Sequence, residues 1–305
     1  MIDGEFYFVL HAPRQSGKTT CLQALTKKIN SEGRYYAINC SLEFLRNTND
    51  PSTAMKYVVD LLNSEIEASD MAEISRLAYA FDGKPSMNST VSMVRYLLRS
   101  LCQSLDRELV VFFDEADCIP EDPLVLFLAQ IRTGYLARSV SESTKFPRSM
   151  ALVGMRDISD YLYMVRPEAK STGLASPFNV KKKSLTLSNF SLEEINSLYS
   201  QHTAETGQFF EPTAVERAWY WTDGQPWLVN AIADDVVVRQ FKKDYSKVIT
   251  RKDIDQAAGF LILQKETHFD SLLERLKEPR VRSVIYISGN LLATERSIPE
   301  HNINK

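Results

Sequence analysis

Residues Phe6 to Ile29, FYFVLHAPRQSGKTTCLQALTKKI, constrain the fold more than any other stretch. Phe6 to Leu10 is an apolar run of strand type and Ala12 to Ser16 is polar and loop-like. Thr19 to Ile29 then carries Leu22, Leu25 and Ile29 at helical spacing. In that setting Gly17-Lys18-Thr19 acquires chemical meaning. The pattern GxxxxGK[ST] wraps phosphate oxygens in backbone N–H groups at a helix N-terminus, where unspent donors and the helix dipole favour an anion. The cradle would run through Ala12, Pro13, Arg14, Gln15, Ser16, Gly17, Lys18, Thr19 and Thr20, with Lys18 on the outer phosphates and the Thr19 hydroxyl on Mg²⁺. Ala12 stands where the first glycine belongs, which is sterically acceptable wherever φ stays negative. GK[ST] is common by chance and an ordinary strand-to-helix turn is the alternative, so the flanking strand and helix carry the assignment.

A second acidic signal lies midway along. Leu109 to Phe113 is apolar and runs directly into Asp114-Glu115. A carboxylate at the end of a buried strand beside a phosphate loop can support Mg²⁺, and its neighbour can polarise a water for in-line attack. Asp114 is the expected metal-supporting residue and Glu115 the expected base; a plain solvent-facing turn is the alternative. Asp114 to Asp117 spells DEAD, but no arginine-rich helicase signature follows. Ser149 to Gly154 is another apolar strand ending in Met155-Arg156-Asp157. Arg156 would point into the same crevice and sense the γ-phosphate, with a surface pair to Asp157 or Asp160 as the alternative.

At 305 residues two domains are expected. The net charge of −3 gives no global attraction to nucleic acid. Neither a signal peptide nor a membrane span is visible, and Cys21, Cys40, Cys102 and Cys118 lack CxxC spacing, so reduced thiols in a cytoplasmic protein are expected. The four histidines are isolated and suggest no zinc site. Further strands are expected at Arg34 to Cys40 and Leu185 to Leu187. Crossover helices are expected over Thr53 to Ile74 and Val91 to Leu105, and a further helix over Leu124 to Leu136. Ser139 to Pro147 and Met164 to Phe178 read as mobile loops, and Lys181 to Lys183 as a solvated face, with contact to a partner or nucleic acid as the alternative. From Ser188 the pattern is helical: a capping box at Ser191 and Glu194, then helices over Pro212 to Trp221, Leu228 to Phe241 and Arg251 to Gln264. Gly224 and Pro226 read as punctuation between two of them.

The ordered series APRQSGKTT, VVFFDEAD, ALVGMRD, LTLSNFSLEEI and TDGQPWLVNAI resembles the bacterial AAA-like STAND ATPases, relatives of archaeal-type ATPases and origin-recognition initiators. The likeness spans roughly residues 4 to 265. It implies an α/β P-loop NTPase with a five-stranded parallel sheet ordered 51432 and sandwiched by helices, followed by a small helical lid. It also implies ATP and Mg²⁺ as cofactors, Arg156 as strand-end sensor and Pro226 as a contact to the adenine region. The expected domains are 1–187 (ATPase core), 188–265 (lid) and 266–305 (a helical segment opening a winged-helix or effector module). Members usually carry an adenine-covering segment ahead of the first strand, where this sequence has Met1 to Gly4; a minimal or truncated switch is the expectation.

Three functions compete. The first is an ATP-driven switch with slow hydrolysis, working through Lys18, Thr19, Asp114, Glu115 and Arg156 upon an effector protein or within a homo-oligomer. The second is a DNA-associated initiator or transposition-type loader, with Arg132 or Arg138 completing a neighbour's site. The third is a non-hydrolysing nucleotide-binding scaffold.

Overall fold

The computed structural model describes residues 1–69, 91–140, 144–155 and 181–264. The chain divides into two compact units, Met1–Asn189 and Phe190–Lys305. In the first, β1 (Tyr7–His11), β2 (Tyr35–Ser41), β3 (Glu108–Asp114), β4 (Ser149–Gly154) and β5 (Lys181–Thr186) form one parallel sheet in the order β2-β3-β4-β1-β5. This is the anticipated 51432 read from the opposite edge.

Alternation along β1 explains why its sequence is apolar throughout. Tyr7 and Val9 enter one core with residues of α2 (Pro51–Glu67), α3 (Met93–Ser104) and α4 (Glu121–Val140). Phe8 and Leu10 enter another with Leu22 and Ile29 of α1 (Lys18–Glu32). A strand covered on both faces needs no polar side. The open edge of β2 is closed by Asn30 of α1, which accepts from the Ala37 N–H at 2.7 Å and donates to the Ala37 carbonyl at 3.0 Å. Gln130 of α4 is buried and its Oε1 accepts from the N–H groups of Val94 and Arg95, capping α3 from a neighbouring helix.

Because every strand runs the same way, His11, Ser41, Asp114 and Gly154 share one edge of the sheet. The other edge is tied by an ionic cluster. Asp3 accepts from the Tyr35 hydroxyl and pairs with Arg34, while Arg148 donates to the Ile2 and Asp3 carbonyls. Arg138, one of the two candidate finger arginines, lies at this far edge. Its Nη1 donates to the carbonyls of Pro147 and Arg148 at 2.6 and 2.9 Å.

Two boundaries differ from expectation. Helix α4 continues to Val140, and Phe146 is buried against Gly134, where an added Cβ would lie 2.2 Å from the ring. The end of the expected loop is therefore anchored by aromatic packing. Strand β5 begins at Lys181 and not at Leu185: among the described residues it pairs with β1 alone, so the lysine run belongs to an edge strand. The continuation to Ile74, the loop Met164 to Phe178, Arg156 and the segment 266–305 lie outside the described residues.

The second unit contains α5 (Leu192–Thr206), α6 (Pro212–Thr222), α7 (Pro226–Asp234) and α8 (Arg251–Leu263) around a core that includes Ile195, Tyr199, Ala218, Val229, Ile232 and Ile254. The capping box is formed: Ser191 Oγ accepts from the Glu194 N–H and Glu194 Oε2 from the Ser191 N–H. The expected helix to Phe241 is instead α7 followed by a π-helical turn, Asp235–Gln240, in which Arg239 and Gln240 both donate to the buried Asp235 carboxylate. Between α6 and α7, Gly224 has φ +72, and a Cβ there would lie 1.9 Å from the Phe190 carbonyl oxygen. Only glycine fits this approach, which the Phe190 N–H to Gly224 carbonyl bond of 2.8 Å closes. Pro226 occupies the first turn of α7, and Gln225 Oε1 caps the Leu228 N–H.

Candidate functional site

The loop leaving β1 is held low against the sheet. Ala12 is buried and its N–H donates to the Gly154 carbonyl of β4 at 3.2 Å. Positive φ falls at Gln15 (58) and Gly17 (82) and not at Ala12, so alanine meets no backbone penalty where the pattern has glycine. Gly17 precedes α1 and offers no side-chain cap, and a Cβ there would meet nothing within 4 Å. The first-turn amides of a helix have no intrahelical partner, so this end of α1 presents donors and a positive dipole to the space above it.

Lys18 folds back over the loop it follows. Its Nζ donates to the Ala12 carbonyl at 2.8 Å and the Pro13 carbonyl at 2.7 Å. Burial holds its pKa below the ordinary 10.5, while Asp114, Asp117 and Glu115 pull it upward. The ammonium is thus partly desolvated yet ringed by acceptors. Thr19 Oγ1 donates to Asp114 Oδ2 at 2.6 Å, and Asp114 Oδ1 accepts from the Glu115 N–H at 2.9 Å. Both carboxylate oxygens of this buried residue are therefore oriented. A hydroxyl and a carboxylate side by side are the hard oxygen donors that suit Mg²⁺, which draws its other ligands from phosphates and water. Among the described residues no group of three or more His, Cys, Asp or Glu gathers to hold a metal.

A cleft of about 670 Å³ opens over these groups, within the range of small-molecule sites. Arg14, Gln15, Gly17, Lys18, Thr19 and Thr20 line one side. Ala12, Pro13 and Ser16 shape the loop beneath: Ser16 Oγ donates to the Pro13 carbonyl at 2.9 Å. Glu115 lines the opposite side with left-handed backbone, φ 55. Its Oε2 accepts from the Cys118 thiol at 3.2 Å and lies 3.6 Å from Arg46 Nη2. Burial, together with Glu115 itself, pushes the Cys118 pKa up to about 12, keeping the thiol a donor.

Asp117 Oδ2 accepts from the Met155 N–H at 3.2 Å, fixing the tip of β4. Gly154 permits this, since a Cβ there would lie 2.6 Å from Asp117 Oδ1. Sequence reasoning noted Asp117 only as spelling, and it missed Glu43, Arg46 and Cys118. Glu43 and Arg46 sit on a 3₁₀ turn, Glu43–Asn47, in a stretch without any motif. Only their place after β2, at the strand end shared with Asp114, could have marked them. Pro226 belongs to the second unit.

No protein-family model matches the sequence, and no curated protein matches it. Among solved structures, the chain is similar to the Walker-type ATPase PABY2304 of Pyrococcus abyssi at 18% identity and a TM-score of 0.59, over 96% of this chain and 81% of that one. The Thermotoga maritima RuvB Holliday junction branch migration motor matches at 15% identity and TM-score 0.47, and the Aeropyrum pernix ORC1 protein in complex with DNA at 13% and 0.48. Each of these two matches covers 84% of this chain, which spans 62% and 59% of their respective lengths. The fold of this chain is that of the P-loop ATPases, with the sheet order expected of it.

Proposed function

We propose that the chain binds ATP with Mg²⁺ in the cleft over Lys18 and hydrolyses it slowly, as a nucleotide-dependent switch. The observation that carries this reading is the 2.6 Å bond from Thr19 to Asp114, which joins the phosphate loop to the acidic strand end beside a buried ammonium. The first-turn amides of α1 and Lys18 would hold the phosphates, and Thr19 and Asp114 would hold the metal. Bound Mg²⁺ would neutralise charge on the outer phosphates. Glu115 orients and deprotonates the attacking water. Before nucleotide arrives, that carboxylate accepts from the Cys118 thiol and lies 3.6 Å from Arg46 Nη2, a resting position compatible with a slow enzyme.

The same reading assigns residues 1–187 to the ATPase core and 188–265 to a lid. Arg156 becomes the strand-end sensor and Pro226 the adenine contact. The partner is an effector protein or a second copy, in the cytoplasm. Among the described residues, no helix is long and apolar enough to cross a membrane. The test is Glu115→Gln, with ATP binding followed by titration and phosphate release followed over time. Preserved binding with abolished turnover supports the assignment, and retained turnover removes Glu115 as base.

A further inference from the structure

The 3₁₀ turn after β2 places a guanidinium in the cleft that the phosphate loop and acidic strand end do not explain. Arg46 lines the same cleft as Lys18, Thr19 and Glu115, and its side chain is 46% exposed. Three contacts hold it, all through Nη2: Cys118 Sγ at 3.0 Å, Glu43 Oε1 at 3.6 Å and Glu115 Oε2 at 3.6 Å. At 3.6 Å the two carboxylates are beyond hydrogen-bonding distance, and partly exposed ion pairs of this kind contribute little. The thiol is a weak acceptor. The guanidinium is therefore placed over the cleft but loosely bound there, with most of its planar fork of donors unspent on these three partners.

A phosphate group offers that fork what its present partners do not, two parallel charge-assisted bonds at normal length. Position decides which phosphate. A base and the phosphorus it serves are separated by one water, so a cation 3.6 Å from the base carboxylate stands beside the terminal phosphate and not beside those cradled by α1. We propose that Arg46 is the residue through which this chain distinguishes a nucleoside triphosphate from a diphosphate. Without the terminal phosphate, Arg46 rests on Glu115 and Cys118. When the terminal phosphate arrives, the guanidinium leaves the carboxylate for the phosphate oxygens, and Glu115 keeps only the thiol hydrogen bond, free to take up the attacking water. The inference rests on the reading of the cleft as an ATP site and adds to it a nucleotide-state selectivity housed within one chain.

The experiment is calorimetric titration of wild-type protein, Arg46→Ala and Arg46→Lys with Mg-ADP and with the non-hydrolysable Mg-AMP-PNP. Loss of a charge-assisted pair to phosphate should weaken AMP-PNP binding by about tenfold or more in Arg46→Ala, leaving ADP binding within about twofold, with partial recovery in Arg46→Lys. A merely structural role would weaken both nucleotides together. Equal loss for both, or no loss for either, overturns the role of Arg46 while leaving the ATP site standing. Failure of the wild-type protein to bind either nucleotide overturns the ATP site and this inference with it.

Discussion

The Thr19 hydroxyl donates to Asp114 Oδ2 at 2.6 Å across a separation of 95 residues. Neither residue is part of a local motif shared with the other, and only the β2-β3-β4-β1-β5 order brings the loop after β1 within reach of the end of β3. The pair sets a hydroxyl and a carboxylate side by side, the hard oxygen donors that would suit a divalent ion.

Replacing Asp114 by Asn keeps the shape and removes the charge. ATP affinity in the presence of Mg²⁺ should fall about tenfold, in the range of a lost charged interaction, while metal-free ADP binding should change by less than about twofold. Titration with and without Mg²⁺ measures both.

Lys18 gives the site a pH signature. Its folded-state pKa lies below 10.5, so the unfolded chain holds more protons in the interval between the two values. Stability contributed by this residue therefore rises with pH across that interval, while phosphate binding, which needs the ammonium, weakens over the same range. ADP affinity measured upward from pH 7 should begin to fall before an ordinary lysine loses its charge. Lys18→Arg should flatten the profile, since guanidinium keeps its proton.

Gln130 reaches from α4 to cap α3, and its Oε1 is the acceptor for two amides. Gln130→Leu removes that acceptor without removing bulk, taking it from the buried Val94 N–H and the partly buried Arg95 N–H. A loss of about 1–3 kcal/mol is expected, read as a lower urea midpoint at unchanged slope.

Gly224→Ala should destabilise the second unit. The left-handed backbone alone costs a Cβ-bearing residue about 1–2 kcal/mol, and the approach to the Phe190 carbonyl adds a steric term. Thermal unfolding should shift downward, with the effect concentrated in the α5–α8 bundle by hydrogen exchange.

What could be read without coordinates follows from how local each signal is. The strand-loop-helix order of residues 6 to 29 and the apolar run ending at Asp114 are written in consecutive residues, and both fell where expected. The first residues of β5 were hidden because three lysines on an edge strand look the same as a solvated loop. The anchored Phe146 was hidden because one buried aromatic within a polar stretch has no periodicity. Arg46 was hidden for a different reason: what places it in the cleft are its contacts to Glu115 and Cys118, about seventy residues away, which no local pattern announces.

The most direct measurement is equilibrium binding of fluorescent ATP, in Mg²⁺, to wild-type protein and to Lys18→Ala. Saturable binding to the wild type that weakens by about a hundredfold in the variant is the expected result, equivalent to roughly 2.7 kcal/mol for an ammonium on phosphate oxygens. No binding by the wild type, or equal binding by both proteins, would contradict a nucleotide site over Lys18.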